Sequence, residues 1–599
     1  MTDYKYLPSE ELRDGPVERR KCTDLLFCLI FFLFIVAFIT VGIFGFLHGE
    51  PALILYPYDS SGNQCGRPSQ DTSSFPYLYY PAAGIFSNFS DYRICLKSCP
   101  SLNTTNIKCF NNAQIYCDDL LPIFYLKSQN KKIEAYKSKG LLERFCVPES
   151  NLKFFDKVVD KIFGSEIIAW VSDIIRCWSC ILIVLGIACG LSIVYLTLVR
   201  FCAELMIWAS ILCTAALIIT FAVYIGLMAD QNYSAESEKK TYRALKVTSI
   251  LMYCSVAIFA VVIVFLYKRI YLAIAIIKSG AVFMKDVPMI VIVPLGVYFF
   301  SCIAFVYWIL ALVFIYSAGE LDKTTSAIAS ISWDSATKNA FFFEFFAIFW
   351  VNSFKIALSQ FIVACTVCFW YFSRDSSSYS AISTSSFYAF RYHLGTLALG
   401  SLILSSVKAL KWVLWYIKER IYKPAFGGNP LLEICCNCLK AYVLFFERFV
   451  EFIDKQGYIQ TALAGTGFCV GCKNAFSLVA ENAARFLALG AIGDIFKIIG
   501  KMLITTMATY TGFLIISINE PFKSTVQSPI APTIVFAVVS YIVSGIFMTI
   551  HEMACDTIIQ AFLIDEKIHK TACFAPEPLK EFINEHRDKE DESCCFGCL

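Results

Sequence analysis

This chain is short of charge and of histidine. Of its 599 residues, 17% are Asp, Glu, Lys or Arg and five are His, against 57% hydrophobic, which leaves too little polar surface for a water-soluble protein of this length. No excess of one charge sign is present: the formal net charge is +3, so nothing points to nucleic acid as a partner. No GxxxxGK[ST] loop is found, which removes support for ATP-driven pumping, and no nucleophile constellation or cofactor motif marks an enzyme. No cleavable signal peptide is read at the start, because the first apolar run is too long and no small-residue cleavage site follows it.

What the chain has instead is apolar runs in blocks. The first, Leu25 to Leu47, spans the hydrocarbon layer of about 30 Å as a helix rising about 1.5 Å per residue. Further runs lie at 178–199, 205–228, 247–267, 289–316, 340–372, 395–417, 499–519 and 531–555, each flanked by charge or turn-forming residues. The fold class is therefore an all-α polytopic membrane protein.

Charge position sets the orientation. Arg13, Arg19, Arg20 and Lys21 precede the first run and place the amino terminus in the cytosol by the positive-inside rule. Segment 48–177 then falls outside, with Cys65, Cys95, Cys99, Cys109, Cys117 and Cys146, which in an oxidising compartment can form three disulfides of open connectivity. The sequons at Asn88 and Asn103 lie in the same loop and that at Asn232 in the next outer loop, so all three glycosylation acceptors fall on one side. Arg200, Lys268, Arg269, Lys278, Lys285, Arg374 and Arg391 fall on the inner side. The outer segment 229–246 dissents, with Lys239, Lys240, Arg243 and Lys246.

Nine crossings would leave the carboxyl terminus outside, yet 565–599 is strongly charged and ends in Cys594-Cys595-Phe596-Gly597-Cys598-Leu599. Free thiols beside a membrane suit the reducing side and S-acylation; Phe596 four residues from the end excludes a prenylation box. A tenth crossing is expected at 431–453, the competing reading being a helix on the inner surface with 395–417 re-entrant. The expected layout is a cytoplasmic tail 1–24, a first span 25–47, an extracellular cysteine-rich loop 48–177, a helical core 178–556 and a cytoplasmic tail 557–599. Cys435, Cys436 and Cys438 with Cys469 and Cys472 lack regular zinc-ligand spacing, so no metal site is expected.

Several motifs carry a resemblance. KCTDLLFCLIFFLF (21–34), HGEPALILYPYDSSGNQCG (48–66), YRICLKSCP (92–100), FCVPES (145–150) and FWVNSFKIALSQFIVACTVCFWYF (349–372) are similar to those of the choline transporter-like family of solute carriers. RYHLGTLALGSLIL (391–404), KNAFSLVAEN (473–482) and ACDTIIQAFLIDE (554–566) continue the match in order. The resemblance implies ten transmembrane helices, both termini cytoplasmic, a disulfide-bearing first extracellular loop, and movement of choline or a related amine such as ethanolamine. The chain departs from the family in having Glu50 where Asp is common, and its acidic segment 576–592 and cysteine end are not matched.

A trimethylammonium group donates no N–H hydrogen bond, so a protein holds it with aromatic faces, each contributing about 0.5–2 kcal/mol, and a nearby carboxylate. The run beginning FFFEFFAIFWVNSFK sets Glu344 among phenylalanines, followed by Trp350, Asn352, Lys355 and Gln360. An ionisable group there costs about 2.5–3.5 kcal/mol to insert, so it should face a cavity or a partner. The expected substrate-binding residues are Glu344, attracting the cation near the outer mouth, with Trp350, Asn352 and Gln360 along the pathway. The bland reading places Glu344 at the outer interface and has Lys355 snorkel or pair with another helix. His393 and Asp556 are candidates for proton coupling, weighed against a structural histidine at a helix entrance and a carboxylate paired with a basic neighbour. Glu204, Lys408, Lys411, Asp494 and Glu552 complete the intramembrane polar set, and Gly186-xxx-Gly190 is a packing motif.

The expected function is choline transport by a facilitator or secondary transporter, with proton coupling open. Alternatives are another amine substrate or a non-transporting glycoprotein that binds a partner through its outer loop. The plasma membrane is the expected site of action, an organellar membrane the alternative. The interior-negative potential supplies about 2.3 kcal/mol per charge per 100 mV, enough for cation accumulation without a co-ion.

Overall fold

The structure is a computed structural model and describes the chain from Leu12 to Glu585. Within those limits it omits residue 14 and the segments 60–61, 69–70, 80–92, 101–114, 118–122, 127–130, 135–137, 142–143, 149–176, 232–238, 323–329, 374–377, 423–429, 520–528 and 570–571. The sequons Asn88, Asn103 and Asn232, Cys109, the side chain of Cys117 and the cysteine tail all lie outside the described residues.

Helices follow the apolar blocks: α1 (Leu25–His48), the short α2 (Ala52–Leu55), α3 (Trp178–Gln231), α4 (Lys239–Asp286), α5 (Ile292–Tyr316), α6 (Ser335–Phe372), α7 (Ser378–Tyr392), α8 (Leu394–Ile417), α9 (Pro430–Ala464), α10 (Phe468–Glu481), α11 (Ala483–Ile518) and α12 (Ile530–His569). Among the described residues seven helices are long and apolar enough to cross a membrane, or eight if the bent pair α9–α10 counts as one span. The chain is a multi-pass membrane protein.

The expected runs 178–199 and 205–228 merge into the one helix α3, interrupted by non-helical backbone at Cys202 (φ −118°, ψ 18°). Its 54 residues rise about 80 Å, length for two crossings. α11 has 36 residues, starting sixteen before the run at 499 expected from hydropathy, and Lys497 in its first half is paired with Asp494 and Glu552. α12 likewise continues past 556 to His569. The segment 431–453 is part of a single 35-residue helix, and the chain breaks after it at 465–467, not within 395–417.

The chain divides into two compact units: 1–31, 173–301 and 349–599 in the first, 32–172 and 302–348 in the second. In the first, α3, α4, α11 and α12 pack as one helical group; Tyr195 donates its hydroxyl to the Phe496 carbonyl at 3.3 Å. Gly186 and Gly190 have no neighbour within 4 Å of a built Cβ, so the close helix approach falls elsewhere. It falls at Gly395 and Gly400 of α8, where a Cβ would strike the Asp24 backbone and the Tyr458 ring.

In the second unit the segment after α1 forms a four-stranded sheet in the order β2-β1-β7-β6, with β1 Tyr77–Tyr79, β2 Ile94–Leu96, β6 Ser138–Leu141 and β7 Phe145–Pro148. β1 runs antiparallel to β2 and parallel to β7. Two disulfides staple it, Cys65–Cys95 and Cys99–Cys146, and the first packs with Leu78, Phe75 and Phe145 into a small core. β3 (Ile115–Cys117), β4 (Ile123–Leu126) and β5 (Lys131–Glu134) form a separate antiparallel sheet. Glu50 is ion-paired with Arg67 at the start of the loop.

Candidate functional site

Helix α6 begins where the Asp334 carboxylate accepts the Thr337 amide at 2.9 Å, an N-terminal capping bond. Three turns on, Glu344 is 0% exposed, and neither carboxylate oxygen has a hydrogen-bond partner among the described residues. Aromatic rings crowd that level: Phe343 packs edge-on to Phe34 at 5.7 Å, Phe345 lies 6.1 Å from Trp308, and Tyr307 packs edge-on to Phe38 at 5.2 Å. The Trp308 indole N–H is spent on the Glu344 main-chain carbonyl at 2.9 Å, and the Tyr307 hydroxyl on the carbonyls of Phe38 and Ile39. The Trp308 and Tyr307 donors are therefore committed to backbone and not to the Glu344 carboxylate. An ionised carboxylate without donors in an apolar site costs several kcal/mol, a penalty that a positive charge alongside would offset.

The other expected substrate residues do not converge on Glu344. Trp350 is buried, donating to the Ala398 carbonyl at 3.3 Å and the Ser401 hydroxyl at 3.2 Å, so it ties α6 to α8. Asn352 is exposed and Gln360 half-buried. Along α6 they stand about 12 and 24 Å from Glu344, more than a molecule of choline's size bridges.

The second polar concentration surrounds the break between α9 and α10, where the chain turns by 105° through Gly465 at φ +65°. Leading into it, α9 buries Asp454, Gln456, Gln460 and Thr461. Gln460 donates to Gln560 of α12, and Gln560 in turn to Gln456. Asp454 Oδ2, Gln460 Oε1, Gln456 Nε2, Thr461 Oγ1 and Asn474 Nδ2 have no partner within the described chain. Buried polar atoms are normally satisfied, so a run of five argues for a route that water or a polar substrate lines. Broken membrane helices with exposed termini are where transporters commonly hold substrate.

Toward one side of that route the charges are paired. Lys455 bridges Glu552 at 2.9 Å and Asp556 at 2.5 Å, while Lys497 bridges Glu552 and Asp494, each at 2.9 Å. They surround a cavity of about 140 Å³ walled by Phe452, Phe486 and Phe496. Asp556 thus has the basic neighbour that the bland reading foresaw. His393 stands at the α7–α8 junction, fully buried, with its Nε2 3.3 Å from Arg20 and its Nδ1 2.9 Å from the Thr23 hydroxyl. Burial and the Arg20 cation lower its pKa to about 3, far from the near-neutral value that proton exchange would need. These contacts tie His393 to the segment that precedes α1.

A larger cavity of about 650 Å³ between α8 and α9 is lined by Lys408, Lys411, Lys418 and Lys440 beside Trp412 and Trp415. Lys411 is paired with Glu447 at 2.7 Å. Its excess of ammonium groups repels a cation, so size alone does not make it the amine site. The cysteines 435, 436 and 438 lie at the opposite end of α9 from Cys469 and Cys472 of α10, too far apart to share an ion.

Residues 250–567, which include Glu344, the helix break and the ion-pair cluster, match the family model described as plasma-membrane choline transporter. The chain belongs to this family. It is 27% identical to choline transporter-like protein 2 of Dictyostelium discoideum over 99% of both chains. It is 25% identical to the protein of that name from Homo sapiens and 24% to that from Bos taurus, covering 99% of this chain and 98% of each relative.

The choline transporter match thus covers the acids whose oxygens are unpartnered, Glu344 and Asp454, as well as those that are paired. Reading the sequence singled out Glu344 because it interrupts a phenylalanine run. It passed over Asp454, Gln456, Gln460 and Gln560. Their signal was present in the spacing, since Gln456 and Gln460 are four apart and Asp454 and Thr461 seven apart, on neighbouring strips of one helix face. Arg20 and Asp24 were also passed over as site residues, Arg20 having been read only for membrane orientation.

Proposed function

We propose that the chain carries choline or a closely related amine across the membrane, as a facilitator or secondary transporter acting at the plasma membrane. The observation that supports this best is the wholly buried Glu344 carboxylate, set among aromatic rings with no donor at either oxygen among the described residues. The carboxylate supplies the counter-charge, and the surrounding rings offer the faces that a trimethylammonium group needs. Within the first unit, Asp454 and the amides on the buried face of α9 are suited to receive a cation and a hydroxyl. Trp350 acts by holding α6 to α8, while Asn352 and Gln360 are left to other stretches of the pathway. The membrane potential drives net inward movement, and any proton coupling is assigned to a group other than His393.

The test is labelled-choline uptake into proteoliposomes, with an imposed inside-negative potential, with a proton gradient, and with ethanolamine as competitor. Saturable, voltage-driven uptake is expected, and Glu344→Gln should raise the Michaelis constant about tenfold at unchanged protein content. Absence of uptake of either amine by folded protein would sink this reading.

A further inference from the structure

The amino-terminal segment before α1 does more than orient the chain. Leu12 and Val17 are buried, and the Val17 amide donates to the Leu463 carbonyl at 3.0 Å, at the last turn of α9. Arg20, 8% exposed, donates to the carbonyls of Ala462 at 2.6 Å and Thr461 at 3.4 Å, and its guanidinium lies 4.4 Å over the Tyr388 ring. The Ala462 and Leu463 carbonyls are ones that a helix end leaves without intrahelical partners, at the negative end of the helix dipole, while that of Thr461 also accepts the Gly465 amide at 2.9 Å.

Four residues on, Asp24 serves the opposite pole. Its Oδ2 accepts the Phe468 amide at 2.8 Å, capping the first turn of α10, and the Thr396 hydroxyl at 2.7 Å. The Thr23 amide donates to the Tyr392 carbonyl at 3.0 Å, across the α7–α8 junction. Gly395 and Gly467 are the positions against which Asp24 rests, a Cβ at Gly395 colliding with its backbone. One short segment therefore satisfies both sides of the α9–α10 break, with a cation on the carbonyl end and an anion on the amide end, and clamps the α7–α8 junction as well.

We infer that residues 12–24 form a strap that closes the inner end of the substrate route, and that it must release the α9–α10 break for the route to open inward. The inference rests on the transport reading and on the cytoplasmic amino terminus indicated by the basic flank. Gln460, 1% exposed, lies one and two residues from the carbonyls that Arg20 holds, so a strap that lifts uncovers the buried face of α9.

The first experiment needs no substrate. Gln460→Cys is introduced, and its modification by a membrane-impermeant thiol reagent is followed by peptide mass spectrometry in inside-out vesicles. It should be slow in the parent and at least tenfold faster with Arg20→Gln or Asp24→Asn, with no reaction from the outer face. Equal protection in strap variants that remain folded by thermal unfolding would overturn the strap.

The second experiment leaves the strap intact and covers the case where those variants misfold. Cys22 has its sulfur 3.4 Å from the Arg391 carbonyl, so Arg391→Cys offers a cross-link between strap and α7. Bridging the pair with a short bifunctional thiol reagent cleavable by reductant should cut choline uptake at least tenfold, with recovery on reduction. Undiminished uptake by fully cross-linked protein would overturn the proposal. Failure of the uncrosslinked protein to move choline would count against the transport reading alone, because the accessibility experiment still decides the strap.

Discussion

Glu344 and Glu552 are both membrane-helix glutamates, and the chain treats them oppositely. Glu552 is embraced by Lys455 and Lys497 at 2.9 Å each, with Asp556 and Asp494 completing the cluster. Glu344 is more deeply buried and has no donor among the described residues. A charge that is paired within the protein is committed to the fold, since its partner costs several kcal/mol to remove. A carboxylate buried without such a partner gains nothing for the fold, which suits the substrate role proposed for Glu344. Substitutions at the two should therefore separate stability from affinity.

The largest effect is expected at the paired cluster. Lys455→Ala leaves Glu552 and Asp556 without their shared cation and should lower stability by about 3 kcal/mol, seen as a lower Tm and a smaller monodisperse fraction in detergent. Adding Glu552→Gln and Asp556→Asn should restore most of the loss. If Lys455→Ala were as stable as the parent, the cluster would not be a structural element.

His393 extends the same contrast to pH. Its folded pKa of about 3 lies below the ordinary value, so the unfolded chain binds the proton more readily. The stabilisation is complete above about pH 6.5 and is lost as pH falls toward 3. At pH 5 the expected loss is about 2 kcal/mol. The drop in Tm between pH 7.5 and pH 5 should flatten in His393→Gln; a profile unchanged by that substitution would mean that another group sets it.

At Glu344 the expectation reverses. Glu344→Gln should leave Tm unchanged or slightly raised while the Michaelis constant for choline rises about tenfold, equivalent to about 1.4 kcal/mol of lost binding. Lower stability with unaltered kinetics would make Glu344 another structural acid and dissolve the comparison.

How much of this the sequence discloses follows from which signals are local. Apolar runs are local, and each of the seven helices long and apolar enough to cross a membrane among the described residues coincides with one or more of them. The break at Gly465 was hidden because 431–453 reads as a charged amphipathic stretch: Lys440, Glu447, Arg448 and Glu451 obscure a helix whose buried strip continues to Ala464. Glu344 stood out against its phenylalanines, whereas Asp454 sits among other charges in EFIDKQ and acquires its isolation only when α9 packs. The pairing of Arg20 with carbonyls more than four hundred residues away has no counterpart in local pattern. Nor could spacing choose among disulfide connectivities; the strand pairing that brings β1 between β2 and β7 sets Cys95 and Cys146 beside their partners.

The smallest predicted effect tests whether aromatic content on α6 can be divided as its acids are. Trp350 donates its indole N–H to Ala398 and Ser401, and both bonds join α6 to α8. Trp350→Phe keeps a ring in place and deletes the donor. It should cost about 1 kcal/mol of stability, the net contribution of a typical hydrogen bond, and leave the choline Michaelis constant within twofold of the parent. A ring that contacts the ammonium group behaves differently, because replacing indole by the weaker π-face of Phe lowers affinity even when the fold is unharmed. If Trp350→Phe raised the Michaelis constant as much as Glu344→Gln at unchanged Tm, the substrate would reach along α6 past Glu344, and the line between structural and waiting groups would be redrawn to put Trp350 on the substrate's side.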